Sequence, residues 1–208
     1  MQKYDSIIFD LDGTLWDAVN SVCGIWNEAL VSVGLEPNMN YEKLSRCMGL
    51  LIGEILERLI PQATNKQREV VIEYCLTKEV EYLSEHGGKL YDNVEDTLAE
   101  LKEKYRLFIV SNCQDGYINA FFRSHGLRKY FEDYECAGRT GLSKGENIRL
   151  VCNRNGLKSP IYVGDTVSDY KATKEADVPF VYAAYGFGDC DSYTYKADSF
   201  AQLPEVFE

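Results

Sequence analysis

The chain has 208 residues, 45% of them hydrophobic and 26% charged, the balance of an ordinary folded protein rather than a disordered or fibrous one. Its 22 basic and 33 acidic side chains leave a formal net charge of −11, which repels nucleic acid and anionic membranes and argues against both as partners. The seven cysteines are scattered, odd in number and without a CxxC pair, so neither a disulfide framework nor a zinc site is expected, and the thiols read as buried apolar groups in a reducing compartment. No stretch approaches the roughly 18 apolar residues of a membrane span, and the run before Asp10 is too short for a signal-peptide core. A cytoplasmic protein, monomer or homodimer, is expected.

Ser6–Phe9 is a short apolar run of the kind that forms a buried parallel strand. It ends in Asp10-Leu11-Asp12-Gly13-Thr14. Alternation at a strand end puts the two carboxylates on one side with Leu11 turned away, and Gly13 lets the backbone turn sharply against a ligand. Taken alone, Asp12-Gly13 would also suit an Asx turn.

The segment from 18 to 88 reads as almost wholly helical, with helices expected over Ser21–Val33, Tyr41–Cys47, Ile52–Ile60 and Lys66–Ser84, punctuated by Gly34, Pro37, Gly49 and Pro61. It far exceeds a normal strand-to-helix connection. Either it is a long helical crossover within one domain or, the preferred reading, a separate helical cap over 18–88 inserted into a core of 1–17 plus 89–208.

After it the α/β rhythm resumes. Glu95–Lys104 has helical periodicity, Arg106–Val110 is a second buried strand, and Ser111-Asn112 follows, suited either to binding phosphate oxygens or to capping a helix over Gln114–His125. Lys144 stands at the start of a helix over Gly145–Asn155. Unless it is a solvated charge, a lysine opposing the helix dipole there points to an anion nearby. Pro160–Val163 is a third strand, ending in Gly164-Asp165 with Asp169 four residues on, and Phe180–Ala183 is a fourth. Strands alternating with helices predict an α/β fold, a Rossmann-like parallel sheet with right-handed crossovers. Open sheets of this kind place ligands at the carboxyl ends of their strands, where all these polar clusters fall. Carboxylates converging there repel one another unless a hard cation such as Mg²⁺ joins them.

In its motifs and their order the chain resembles the haloacid dehalogenase-like hydrolase superfamily, over nearly its whole length. Asp10-x-Asp12-Gly13-Thr14, Ser111-Asn112, Lys144 and Gly164-Asp165-x₃-Asp169 are similar to that family's four motifs. The helical insert, Leu90-Tyr91-Asp92-Asn93-Val94 and Tyr185-Gly186-Phe187-Gly188 resemble the phosphoglycolate phosphatase and β-phosphoglucomutase-like branch. Ala18, where related chains often carry Ser, and Asp92, where Pro is usual, depart from the pattern without touching the proposed chemistry.

The resemblance implies a phosphatase acting on a small phosphomonoester, phosphoglycolate-like or a sugar phosphate, through a phospho-aspartate. Asp10 would be the nucleophile and Asp12 the general acid and base. Ser111, Asn112 and Lys144 would hold the phosphoryl group, and Mg²⁺ would bind Asp10, the Asp12 carbonyl and Asp165. Asp169 would position Lys144 or a water, and Thr14 would steady the loop. Asp12 and Asp165 favour phosphate over carbon–halogen chemistry. A phosphomutase shares all these residues, but His86 and His125 lie away from the stretch after Asp10 where a mutase histidine is expected. An idle phospho-ligand-binding module would have no need of Asp12. Substrate preference is expected to rest on cap residues such as Asp17, Arg46, Met48 and Gly49, or the tryptophans Trp16 and Trp26. Two hinges, near Asp17 and Gly87-Gly88, would join the cap to the core across a modest interface.

Overall fold

A computed structural model describes residues 3–207. β1 (Ser6–Phe9) leads through a tight loop to β2 (Trp16–Asp17). The helices α1 (Val19–Ser32), α2 (Tyr41–Ser45), α3 (Ile52–Leu59) and α4 (Asn65–His86) follow, and β3 (Lys89–Leu90) ends this excursion. The chain then alternates through α5 (Val94–Lys102), β4 (Arg106–Ser111), α6 (Tyr117–His125), β5 (Asp133–Cys136), α7 (Ala137–Thr140) and α8 (Lys144–Asn155). It closes with β6 (Pro160–Gly164), α9 (Val167–Ala176), β7 (Phe180–Ala183), β8 (Tyr195–Ala197) and α10 (Leu203–Val206).

Six strands form one parallel sheet in the order β5-β4-β1-β6-β7-β8. β1 is flanked by β4 and β6, with Phe9 level with Ile109 on one side and Val163 on the other. Strand alternation divides the core. Ile7, Phe9, Leu107 and Ile109 pack into one apolar cluster, and Ile8, Phe108, Val110 and Tyr162 into the other, so both faces are covered, as a parallel sheet requires. The second face is covered by α8 and α9 through Ile148, Val151 and Ala172.

Two strands of the sheet lie where no apolar run marks them. β5 reads Asp-Tyr-Glu-Cys, and it is tolerated at the sheet edge because cations answer its carboxylates. Arg154 Nε lies 2.6 Å from Asp133 Oδ2 and its Nη1 2.7 Å from Glu135 Oε2, while Arg139 Nε reaches Glu135 Oε1 at 2.7 Å. β8, Tyr-Lys-Ala, is the opposite edge.

The excursion between β2 and β3 is helical as expected, with α1 packed on α4. Its two ends meet: β2 and β3 pair antiparallel, Trp16 with Leu90 and Asp17 with Lys89. Ser21 Oγ also donates to the Gly87 carbonyl at 2.9 Å. α4 lies along α6, and the apolar cluster continues from the sheet into the excursion through Trp26, Leu30, Val71 and Leu83. Among the described residues all seven cysteines are free thiols, and no helix is long and apolar enough to cross a membrane.

The crossing of the two connections is tight. A Cβ on Gly88 would stand 2.9 Å from Ala18 Cα and 3.0 Å from the Asp17 carbonyl oxygen, both backbone atoms. Gly88→Ala is therefore predicted to cost about 1–3 kcal/mol, as overpacking does, read as a lowered urea midpoint with an unchanged m-value.

Candidate active site

β4, β1 and β6 are adjacent and parallel, so the residues leaving their carboxyl ends converge: Ser111 from β4, Asp10 and Asp12 from β1, Asp165 from β6. Two helix starts add the rest. Ser143 caps α8, accepting from Glu146 N at 3.1 Å, which sets Lys144 in the first turn with its side chain turned inward. Thr166 caps α9 in a reciprocal box with Asp169. Asp169 Oδ2 accepts from Thr166 N at 3.0 Å, Thr166 Oγ1 at 2.7 Å and Asp165 N at 3.2 Å. Its Oδ1 is left for Lys144 Nζ, 2.6 Å away, and the same ammonium lies 3.1 Å from Asp10 Oδ1. Lys144 is thus a buried cation held between two carboxylates.

Asp10 is 1% exposed and Asp165 is 0% exposed, yet Asp10 Oδ2 and Asp165 Oδ1 have no hydrogen-bond partner. Unsatisfied buried oxygens of this kind are costly. Each of Asp10, Asp165 and Asp169 offers an oxygen within 4.8 Å of the others. Asp169 is already committed to Lys144 and the α9 cap, so the free donors are those of Asp10 and Asp165. Hard, anionic oxygens with open positions fit a divalent cation such as Mg²⁺. At Gly13 and Gly186 the backbone passes too close to Asp165 for any side chain. A Cβ on Gly13, where φ is +80°, would stand 2.1 Å from Asp165 Oδ2, and one on Gly186 would stand 2.3 Å from Asp165 Cβ. Phe187 N fixes the other carboxylate oxygen, donating to Oδ2 at 2.7 Å.

Burial governs the protonation of the pair on the β1 loop. It pushes Asp10 up to about 6, against the opposing pull of the Lys144 ammonium. It pushes Asp12 further, to about 8, with the Asp10 charge adding to the effect. Asp165 is also raised, by burial and then by Asp169 and Asp10. Burial alone would lower Lys144, but the charges of Asp10 and Asp169 outweigh it and raise it. Of the two carboxyls on the β1 loop, Asp12 therefore holds its proton more tightly than Asp10.

Above these groups is a cavity of about 490 Å³. The sheet end supplies Asp10, Asp12, Ser111 and Asn112. The helical excursion supplies an apolar wall that includes Trp26, Leu44, Met48, Gly49, Ile55 and Leu76. Met48 and Gly49, named from the sequence, line this cavity. Asp17 and Arg46 do not reach the cavity. Asp17 accepts from Val19 N at 2.9 Å and Tyr41 OH at 2.8 Å, tying down the start of α1, and Arg46 is an exposed residue pairing with Glu42 at 2.7 Å. Trp16 is fully buried beneath the site against Tyr117 and Phe121. Asn112 Nδ2 donates across the cavity to the Gly49 carbonyl at 2.9 Å, leaving its Oδ1 without a partner. Thr14 is buried with its hydroxyl unpartnered. Its carbonyl, rather than its side chain, anchors the loop, accepting from Tyr185 OH at 3.1 Å.

Three further side chains shape the site without any motif to mark them. Tyr117 OH donates to Asp12 Oδ1 at 3.1 Å. Tyr162 OH donates to the Val110 carbonyl at 2.8 Å, beneath Asp169. Glu79 accepts from Trp26 Nε1 at 2.7 Å and Gln114 Nε2 at 2.6 Å. Only Glu79 left a trace in the sequence. It stands in the i, i+4 series Val71, Cys75, Glu79, Leu83, the buried face of α4, where an acid is out of place.

The chain is similar to known proteins over most of its length. The family model described as haloacid dehalogenase-like hydrolase matches residues 7–183. A phosphoglycolate phosphatase from Synechococcus elongatus is 30% identical, over 90% of this chain and 87% of that protein. Another from Vibrio parahaemolyticus is 25% identical, over 99% and 96%. A crystal structure described as a predicted phosphoglycolate phosphatase from Haemophilus somnus superposes over the whole of both chains with a TM-score of 0.88 at 22% identity. Motif order, sheet topology and relatives agree: the chain belongs to the haloacid dehalogenase-like hydrolase family, in its phosphoglycolate phosphatase-like branch, and is a phosphatase.

Proposed function

We propose that the chain hydrolyses a small phosphomonoester in two half-reactions, with Asp10 carrying the phosphoryl group between them. The observation that carries this reading is the Asp10 carboxylate. One of its oxygens is beside the Lys144 ammonium and the other is unpartnered at the floor of the cavity, with a raised-pKa carboxyl two residues away.

In the first half-reaction an Asp10 carboxylate oxygen attacks phosphorus and the P–O bond to the leaving group breaks. Asp12 gives its proton to the departing oxygen, a role that its raised pKa suits. In the second, Asp12 takes a proton from water, the water oxygen attacks phosphorus, and the Asp10–phosphorus bond breaks to release phosphate. Lys144 keeps Asp10 ionised and faces the phosphoryl oxygens together with Ser111 and Asn112. Asp10, the Asp12 carbonyl and Asp165 would hold Mg²⁺, which supplies positive charge against the transferring phosphoryl group. Asp169 keeps Lys144 in place. Residues 18–88 act as a cap over the core of 1–17 and 89–208 and exclude stray water from the aspartyl phosphate. Hydrolysis is favoured over mutase chemistry because neither histidine lines the cavity: His125 packs against Trp16, and His86 stacks on Tyr82.

Asp10→Asn is predicted to cut turnover of p-nitrophenyl phosphate by about a thousandfold or more, roughly 4 kcal/mol of barrier, with near-wild-type circular dichroism. Residual activity above a few percent would remove Asp10 from its role. Mg²⁺ at about a hundred times its Kd should stabilise the protein by about 2.7 kcal/mol, seen as a higher Tm. Asp165→Asn should abolish that rise, and an unchanged metal response in this variant would refute the proposed ligands. Tyr117→Phe removes the donor to Asp12 and should slow alkyl phosphates about tenfold, within the range of general acid–base effects. p-Nitrophenyl phosphate, whose leaving group needs no proton, should be slowed less. Equal slowing of both would count against Asp12 as the acid.

A further inference from the structure

The cavity walls carry a chemical asymmetry. Among the described residues lining the cavity there is no lysine, arginine or histidine. Lys144 lies below it, committed to Asp10 and Asp169. Of the lysines and arginines between 18 and 88 none lines it, and several are engaged elsewhere: Lys43 with the Asn38 carbonyl, Arg46 with Glu42, Arg58 with the Arg46 carbonyl, Arg68 with the carbonyls of Ile60 and Pro61, and Lys78 with Glu81. What the cap offers in their place is apolar surface and one buried acid, Glu79, 6% exposed. Its two oxygens each accept one hydrogen bond, from Trp26 and from Gln114, and no cation is paired with it. Each carboxylate oxygen has a second lone pair.

We propose that the phosphomonoester acted on by this site has a leaving group with no anionic charge, largely apolar, carrying one N–H or O–H donor that Glu79 accepts. This deepens the phosphatase reading and rests on it. A carboxylate-bearing leaving group such as glycolate would be desolvated beside Glu79 with no cation to answer it, a penalty that acts as exclusion. A polyhydroxylated sugar would turn hydroxyls toward Leu44, Met48, Ile55 and Leu76, side chains that offer them no partner. An alkyl chain of a few carbons fits both the walls and the volume. A terminal hydroxyl or ammonium would then reach the acceptor. Glu79 is held at about 7 by burial, so its carboxyl is close to the point where a donor or cation decides its charge.

The test uses the full-length protein with Mg²⁺ and measures kcat/KM for n-butyl phosphate, 4-hydroxybutyl phosphate, 4-aminobutyl phosphate, phosphoglycolate and glucose 6-phosphate, with p-nitrophenyl phosphate as a generic ester. Hydroxybutyl or aminobutyl phosphate should exceed phosphoglycolate and glucose 6-phosphate at least tenfold. Which of those two leads identifies the donor as hydroxyl or ammonium. Glu79→Met should lower kcat/KM for the better donor-bearing ester at least tenfold more than for n-butyl phosphate. Glu79→Gln, which keeps one acceptor, should fall between. Phosphoglycolate or glucose 6-phosphate ranking first would overturn the inference while leaving a phosphatase. Equal rates for n-butyl and donor-bearing esters would overturn the role of Glu79. No turnover of any ester, p-nitrophenyl phosphate included, would instead overturn the phosphatase mechanism beneath it.

Discussion

Four carboxylates and a single ammonium are buried together at the end of three parallel strands, and much of the molecule answers that imbalance. Asp10, Asp12, Asp165 and Asp169 share one cation, Lys144, in surroundings where charges interact strongly and water cannot screen them. The structure divides the burden unequally. Asp169 is neutralised by Lys144 and by donors at the head of α9. Burial holds the proton on Asp12 more tightly than on Asp10. Asp10 and Asp165 are each left with an oxygen that no hydrogen-bond donor answers.

The same constraint explains the backbone around it. To bring a carboxylate from β6 against the β1 loop, the chain must pass closer than any side chain allows, hence glycine at 13 and 186. To bury an ammonium at a helix start, α8 needs a cap that satisfies its other donors, which Ser143 and Glu146 supply. Capping boxes on α8 and α9 thus do more than end helices. They aim Lys144 and Asp169 at each other across a gap in which neither would be stable alone.

Much of this was legible in the residues themselves. The apolar runs at 6–9, 106–110, 160–163 and 180–183 are strands of the observed sheet, because a strand covered on both faces must be apolar throughout. The polar groups at their ends converge because parallel strands share a carboxyl end. β5 was not legible, since its burial depends on Arg139 and Arg154, cations from elsewhere in the chain. Tyr117 was hidden for a similar reason: its hydroxyl matters only through Asp12, more than a hundred positions away. Arg46 illustrates the reverse error. A charged residue between Leu44 and Met48, which both face the cavity, is carried to the outside by the helical turn, and only its neighbours reach the site.

The small β2–β3 ladder has a consequence for how such a molecule can change over time. Because Asp17 and Lys89 sit side by side, the chain leaves the sheet and returns to it at one point. Whatever lies between contributes no net displacement to the strands on either side. Helices there can lengthen, shorten or be replaced, and Asp10 will still meet Lys144 and Asp165 at the same separations. The helical excursion is in this sense spliced onto the sheet, and the two can drift at different speeds.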